Sequence, residues 1–239
     1  MHEGHRKRHK DRYLKEGLES FGDHEVLELL LYYCIPRKDT NEVAYRLLER
    51  FGSLNAVFDA DPADLQVVEG IGEHSAVLIS MIPRIARRCE LAAIGDRPQL
   101  DSTAKAGAYA MALLKGVPVE RFYLICLDSQ CRVTHAVLLQ EGTINQAAVY
   151  PRMVAETALR HRANSLIIAH NHPGGALKPS NSDIRVTRAV MDAVKPLGID
   201  VLDHIIVSNI GYFSFVAERS MTEMDVKQAY TGYAAEPEK

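Results

Sequence analysis

Apolar positions along the chain follow two different spacings, and the change from one to the other divides the sequence into two parts. Up to about residue 96 they recur as on one face of an amphipathic helix. Capping signals accompany them, such as Asp61 followed by Pro62 at the start of a short helix. Pro83 is expected to kink or split a later helix that begins near Glu73. We therefore predict an all-α domain over residues 1–96.

Beyond Pro118 the pattern changes to that of strands. Strand-like segments are predicted at residues 122–127, 132–141, 165–169, 199–207 and 212–216, the first two joined as a hairpin. Helical segments separate several of these strands, which predicts a mixed second domain over residues 101–225 and a linker at residues 95–98. The final residues, 226–239, are predicted to be a disordered tail, on the low apolar content of the stretch from Gly232 to Lys239.

Two glycines separate two of the predicted helices in the first part. The sequence Gly70-Ile71-Gly72 between helices is the layout of a helix-hairpin-helix element. Such a hairpin can offer backbone N–H groups to a DNA phosphate, because glycine lets the backbone approach an anion closely. The same spacing also fits a tight turn with a purely structural or protein-docking role. DNA contact at Gly70, Ile71 and Gly72 is therefore one of two open interpretations.

Composition and charge narrow the classes of protein that the chain can represent. The 239 residues are 47% hydrophobic and 25% charged, as is usual for a globular protein. The net charge of −3 excludes a protein that is basic overall, so any nucleic-acid surface has to be local. The sequence shows neither an apolar run of membrane-spanning length nor the apolar core of a signal peptide, which predicts a cytoplasmic protein. The four cysteines are too irregularly spaced to indicate a disulfide framework or a Cys-x-x-Cys zinc site.

The candidate chemistry lies at the end of the predicted strand at residues 165–169. If extended backbone continues past that end, His170 and His172 lie on one side of it, and a first-turn Asp183 of the next helix could reach them. Two imidazoles and one carboxylate are a natural ligand set for catalytic Zn²⁺, with water as the fourth ligand. Alternatively, the imidazoles are a core and a turn histidine, and Ser180 with Asp183 is only a capping pair. The joint pattern favours the metal site.

Three further polar residues lie at or inside apolar strands. Glu141 ends an otherwise apolar face of its strand. Its carboxylate either lies at the surface, where the strand ends, or points into the crevice at the sheet edge where the strand of His170 also ends. Asp203 and His204 interrupt another apolar run and would be costly if buried without partners. They are either groups that orient a ligand imidazole or a structural polar pair.

These residues resemble a known motif. The order Glu141, His170, His172, Pro173, Ser180 and Asp183 is similar to the JAMM (MPN-type) metalloprotease motif, which is a Glu, then His-x-His-Pro, then Ser-x-x-Asp. Together with Pro151-Arg152 and Asp203-His204-Ile205-Ile206, the chain resembles the RadC family over nearly its whole length. It departs from the usual family pattern at Gly175, Ala176 and Met153, none of which is a candidate ligand.

The resemblance implies both a fold and an activity. The fold is α/β: a curved mixed sheet flanked by helices, of the cytidine-deaminase-like JAMM/MPN architecture, behind an N-terminal all-α helix-hairpin-helix domain. The activity is zinc-dependent hydrolysis of a peptide or isopeptide bond, with one Zn²⁺ per chain held by His170, His172 and Asp183. Glu141 would act as general base on a zinc-bound water whose pKa is lowered to about 7, and Ser180 would hydrogen-bond the oxyanion or cap the helix. The alternative is a DNA-associated repair or recombination protein with a structural or vestigial metal site.

Overall fold

A computed structural model describes residues 2–36, 38–142 and 151–218. The predicted tail at residues 226–239 lies outside the described residues. The chain folds as two compact units, one up to Ala86 and one from Arg87 onward. Among the described residues, no helix has both the length and the apolar content needed to cross a membrane.

The elements follow the order of a helical unit and then a unit of mixed helices and strands. The helices are α1 (His2–Glu16), α2 (Asp23–Leu31), α3 (Asn41–Phe51), α4 (Leu54–Asp59), α5 (Pro62–Gln66), α6 (Glu73–Ile94), α7 (Thr103–Leu114), α8 (Pro151–Arg160) and α9 (Asn181–Val194), with a 3₁₀ turn at Lys195–Leu197. The strands are β1 (Arg121–Leu127), β2 (Val133–Glu141), β3 (Ser165–Asn171), β4 (Asp200–Ser208) and β5 (Gly211–Ser214).

The first unit is a helical cluster around one apolar core. Leu27, Leu47, Leu65 and Ile79 come from four different helices and are all fully buried there. Short helices need such shared burial, because isolated helices of this length are marginal in water. The capping signal at Asp61 is confirmed, since its carboxylate accepts a hydrogen bond from the Ala63 amide at 2.8 Å.

The second unit is built on a five-stranded sheet in the order β2-β1-β3-β4-β5. Among the strands of the described residues, β3 and β4 pair in parallel, and the pairs β1–β2, β1–β3 and β4–β5 are antiparallel. Helices α8 and α9 contribute to the core on one face of the sheet, and α7 contributes to the core on the other. This mixed sheet between helices confirms the predicted fold class.

Three local predictions differ from the structure. Helix α4 was not predicted, because its six residues are too few to show a helical period. Helix α6 runs unbroken past Pro83, so the predicted split does not occur. The residues around Ile79 that precede the proline are buried, and this packing outweighs the cost of about 3 kcal/mol that proline imposes inside a helix. Strand β3 extends two residues further than predicted, through His170 and Asn171.

Candidate metal centre

The end of β3 places alternate side chains on opposite faces of the sheet. His170 lies on the face covered by α9, and Asn171 on the other. His172 follows the strand, and its amide donates to Val207 O of β4 at 2.8 Å, which continues the extended path by one residue. Asp183 reaches the same point from the first turn of α9. The predicted pair of imidazoles and the predicted carboxylate therefore converge.

Short distances join the three candidate ligands. His170 Nε2 lies 2.9 Å from His172 Nε2, and 3.2 Å from Asp183 Oδ1. His172 Nε2 lies 3.5 Å from Asp183 Oδ2. His170 and Asp183 are buried, whereas the His172 side chain is 15% exposed. The site is therefore open to solvent on the side of His172.

A chain of hydrogen bonds fixes which nitrogen of His170 carries its proton. Thr187 Oγ1 donates to Asp183 O at 2.6 Å, so its hydroxyl oxygen has to accept from His204 Nδ1, also at 2.6 Å. Complete burial lowers the pKa of His204 well below its usual value, so this ring is neutral and its Nε2 has a lone pair. His170 Nδ1 donates to that lone pair at 2.7 Å. The lone pair of His170 is therefore on Nε2, the atom that faces His172 and Asp183.

His172 is oriented in the same sense by a backbone carbonyl. Its Nδ1 lies 2.8 Å from Ala176 O, and because a carbonyl only accepts, Nδ1 is the donor. The remaining nitrogen, Nε2, faces His170 and Asp183. When both rings are neutral, two lone pairs and a carboxylate thus point at one position.

This arrangement requires a cation at its centre. In the metal-free protein a proton can supply this charge, because the hydrogen bond to the Asp183 carboxylate raises the pKa of His172 despite partial burial. Burial alone would raise the pKa of Asp183, but contacts with the His170 and His172 imidazoles and the hydrogen bond from Ser180 outweigh it and hold that pKa far below its usual range. A metal ion would take the place of the proton, as ligand deprotonation on metal binding requires.

The spacing of the three groups fits zinc. Tetrahedral ligands at zinc–nitrogen and zinc–oxygen distances of about 2.0–2.1 Å are separated from one another by roughly 3.3 Å. The observed separations of 2.9, 3.2 and 3.5 Å lie on both sides of that value. The residues present therefore fit a three-ligand zinc site, and His170, His172 and Asp183 are the side chains that could hold the ion.

A fourth group that the sequence analysis did not identify lies beside these imidazoles. Ligand atoms of Glu120, His170 and His172 all lie within 4.8 Å of one another. Glu120 directly precedes β1, and Phe122 of β1 pairs with His170 of β3. Because residues two apart on a strand share a face, Glu120 lies on the face of Phe122 and therefore of His170. Glu120 stands just before β1 in the sequence, but its place beside His170 can be inferred only when the pairing of β1 with β3 is known.

Glu141, the predicted general base, lies on the other face of the sheet. Its cross-strand partner is Arg121, and its Oε2 accepts from Arg121 Nε at 2.7 Å with the side chain about half exposed. Strand alternation failed here because the register of β1 with β2 shifts between Tyr123↔Leu138 and Phe122↔Gln140. The extra residue, Leu139, reverses the faces of the residues that follow it.

Ser180 acts as the N-cap of α9, as one of the two interpretations predicted. Its Oγ accepts from the Asp183 amide, and the Asp183 carboxylate accepts from the Ser180 amide, which forms a capping box. The hydroxyl also donates to Asp183 Oδ2 at 2.6 Å. This contact orients a candidate ligand, and an oxyanion contact would require the hydroxyl proton to turn away from Asp183. The oxyanion role stays a prediction.

The two polar residues inside β4 have different surroundings. The carboxylate of Asp203 accepts from Ser214 Oγ at 2.6 Å and from the Val216 amide at 3.1 Å, which ties β4 to the end of β5. His204 hydrogen-bonds His170, and its ring stacks on Phe215 with centroids 4.8 Å apart. Of the two, His204 is therefore the one that contacts a candidate ligand.

Replacing His204 by alanine is expected to lower zinc affinity by about 10- to 100-fold, because His170 Nδ1–H loses the acceptor that fixes the tautomer. Chelator competition on the full chain measures this. Val190→Ala is the matched control, since Val190 is fully buried in the same core and its removal leaves the imidazole hydrogen bonds intact. Equal zinc affinity of His204→Ala and wild type would contradict the prediction.

The hairpin predicted for DNA contact lies in the helical unit, between α5 and α6. Gly70 has φ of 97°, and a Cβ there would lie 2.7 Å from Val43 Cγ2, so both conformation and packing require glycine. Ile71 is buried. A Cβ at Gly72 would meet nothing within 4 Å. Packing alone therefore explains the first glycine but not the second, and DNA contact stays a prediction.

A second group of histidine and glutamate side chains lies in the helical unit. Ligand atoms of His5, His9 and Glu28 lie within 4.8 Å of one another. The buried Glu28 carboxylate also accepts from Tyr32 Oη at 2.9 Å and from Asn41 Nδ2 at 3.2 Å. These donors satisfy both carboxylate oxygens, so the cluster is accounted for as a hydrogen-bond network that joins α1, α2 and α3.

Comparison with known proteins identifies the family. A family model described as RadC-like JAB domain matches residues 100–221, which is just over half of the chain. The chain belongs to the RadC family. A second model, UPF0758 N-terminal, matches residues 3–77 of this RadC protein. The JAB match contains β1, β3 and the start of α9, and therefore all four groups that converge at the candidate metal centre.

Curated relatives resemble the chain over most of its length. A UPF0758 protein of Fusobacterium nucleatum is 34% identical over 226 residues, which are 90% of this chain and 96% of that protein. A UPF0758 protein of Burkholderia mallei is 36% identical over 206 residues, which are 86% of this chain and 74% of that protein. Neither name states an activity, so the function has to be inferred from the geometry of the site.

Proposed function

We propose that this RadC protein is a zinc-dependent hydrolase that cleaves a peptide or isopeptide bond in a peptide or protein substrate. The observation that supports this most directly is the convergence of His170 Nε2, His172 Nε2 and the Asp183 carboxylate on one position. Hydrogen bonds behind both rings direct their lone pairs there. Such preorganisation is typical of a metal-binding site rather than of a buried polar network that is satisfied internally.

Each side chain has a distinct task in this proposal. His170, His172 and Asp183 hold the zinc ion, which when bound polarises the amide carbonyl and acidifies water. Glu120 accepts the proton of the attacking water and passes it to the leaving amine, which requires a carboxylate close to but separate from the ligands. The substrate enters on the solvent-exposed side of His172.

The ligand set favours amide hydrolysis over cleavage of a phosphodiester. Two imidazoles and one carboxylate resemble the three-ligand sites of zinc peptidases. Phosphodiester cleavage more commonly uses two metal ions about 3.5–4 Å apart. Within the described part of the chain, the other candidate ligand group lies in the helical unit and is satisfied by hydrogen bonds. The chemistry of the site therefore supports a mononuclear peptidase.

Purified full-length protein is expected to contain about one zinc per chain and to cleave a mixed peptide library or an isopeptide-linked lysine probe. Removal of metal by a chelator should abolish cleavage, and Zn²⁺ but not Mg²⁺ should restore it, because imidazole ligands suit zinc. Elemental analysis and mass spectrometry of the products measure both effects. Cleavage that survives complete zinc removal would overturn the proposal.

A further inference from the structure

We propose that Asn171 is a positioning residue that holds the segment carrying Glu120 in place beside the imidazoles. Asn171 lies between the two candidate ligands in sequence, but its side chain points to the opposite face of the sheet. The role in hydrolysis rests on the proposed function, whereas the positioning itself can be measured without a substrate.

The evidence is a set of three hydrogen bonds from one buried amide. Asn171 Nδ2 donates to Val117 O and to Val119 O, both at 3.0 Å. Asn171 Oδ1 accepts from the Arg121 amide at 2.8 Å. Asn171 is only 2% exposed. Backbone groups bonded to so buried a side chain have little access to water, so the Asn171 amide supplies the hydrogen bonds that water would otherwise make.

The three bonded backbone groups flank Glu120 on both sides. This stretch connects α7 with β1 and has no helix or strand hydrogen bonds of its own at residues 117–120. A connection without a ladder is held by whatever side chains satisfy its backbone. Apart from the Asn171 contacts, the Val117 amide donates to Leu114 O at 3.2 Å and the Glu120 carbonyl accepts from the Gly142 amide at 2.8 Å. Asn171 therefore fixes the path of the segment just before and just after Glu120.

The geometry couples His170, at the end of β3, to the proposed general base through the next residue of the same strand. His170 reaches the site directly from β3, and Asn171, the next residue, anchors the neighbouring segment through its side chain. No other amino acid of this size offers two donors and an acceptor in one plane. Loss of the Asn171 side chain should free Glu120 without altering the hydrogen bonds behind His170 and His172.

Asn171→Ala in the zinc-incubated full chain tests the proposal. Amide hydrogen exchange at Arg121 is expected to become at least about tenfold faster, because its N–H loses the Asn171 acceptor, and exchange of the amides at residues 117–120 should rise as the segment loosens. Zinc affinity should change less than about threefold, in contrast to variants of groups that contact the ligands. A crystal structure should show the Glu120 carboxylate displaced from the imidazoles. Thr134→Val is the matched control, because it removes one side-chain bond to Cys126 O on the same β1 strand and should leave residues 117–121 unchanged.

A double-mutant cycle with Glu120→Gln separates positioning from a general structural role. If Asn171 acts through Glu120, Asn171→Ala should add nothing to the loss of turnover in Glu120→Gln, whereas independent effects would add. Asn171→Ser, which keeps a polar group for a bridging water, replaces the alanine variant if that one fails to fold, and should shift exchange in the same direction.

The outcomes distinguish this proposal from the hydrolase proposal. Faster exchange and a displaced Glu120 in a protein that cleaves no amide would support positioning and overturn the hydrolase. Active wild type, inactive Glu120→Gln and an Asn171→Ala variant with unchanged exchange and turnover would overturn positioning alone. Loss of zinc from Asn171→Ala would also overturn it, since the residue would then act on the ligands.

Discussion

Glu120→Gln is expected to reduce turnover by about 100- to 10,000-fold while the protein retains its zinc, because a general base contributes a factor of this size. Gln keeps the shape and hydrogen-bonding capacity of Glu but cannot accept the proton of the attacking water. A carboxylate oxygen of Glu120 lies within 4.8 Å of a ring nitrogen of each candidate imidazole ligand. Steady-state kinetics on a cleaved amide substrate and elemental analysis of the same sample measure the two quantities.

Glu141→Gln is the matched control for this variant. Glu141 makes a partly exposed ion pair with Arg121, and such pairs contribute at most about 1 kcal/mol, so turnover should change less than about fivefold. Full activity of Glu120→Gln together with inactive Glu141→Gln would return the general base to Glu141. Loss of zinc from Glu120→Gln would instead make Glu120 a ligand.

The convergence of the three candidate metal ligands could be predicted from the sequence because its geometry is local. His170 and His172 are separated by one residue of extended backbone, and Asp183 is placed by the helix start that Ser180 caps. Strand alternation and capping rules act over two to four residues and need no knowledge of the fold. The convergence of the three groups follows from these local rules and the short connection between them.

The positions of Glu120, the proposed general base, and of Glu141 could not be predicted, because the first depends on sheet order and the second on one irregularity in strand register. Alternation along β2 placed Glu141 on the same face as Val137, but the register shift at Leu139 reverses that face. Nothing in the residue types around Leu139 indicates a bulge. The position of Glu120 follows only from the pairing of β1 with β3, which brings Phe122 opposite His170 although the two are far apart in the sequence.

The position of Asp183 is compatible with both roles that the sequence offered as alternatives, helix cap and metal ligand. Asp183 Oδ2 accepts from the Ser180 amide and hydroxyl and so completes the capping box, while Oδ1 faces His170 Nε2 at 3.2 Å. A carboxylate has enough lone pairs to serve as cap and ligand together. Helix capping thus preorganises the third ligand, since the same hydrogen bonds that begin α9 fix the orientation of its carboxylate.

Asp183→Asn is expected to lower zinc affinity by more than about 100-fold while the fold is retained. The amide oxygen can replace Oδ2 and accept from Ser180, so the helix start should lose no more than about 1 kcal/mol. The amide nitrogen then occupies the place of Oδ1 and donates to the His170 Nε2 lone pair, which blocks that ligand in addition to removing the charge. Replacing a direct ligand should lower zinc affinity by more than the 10- to 100-fold that is typical of replacing a group hydrogen-bonded to a ligand. Chelator competition and circular dichroism measure affinity and fold.

The pH dependence of the metal-free proteins gives an independent check on the same variant. The raised pKa of His172 contributes stability that is present below its unfolded value of about 6.5 and is lost as the pH rises through the folded value. The lowered pKa of Asp183 contributes stability that is present above about 3.9 and is lost below it. Wild type should therefore exceed Asp183→Asn in free energy of unfolding most strongly near pH 5 and less near about pH 9. If the difference in free energy of unfolding between wild type and Asp183→Asn did not change with pH, the contact between His172 and Asp183 would not be an ion pair in the metal-free protein. Zinc would then not have to displace a proton from this contact.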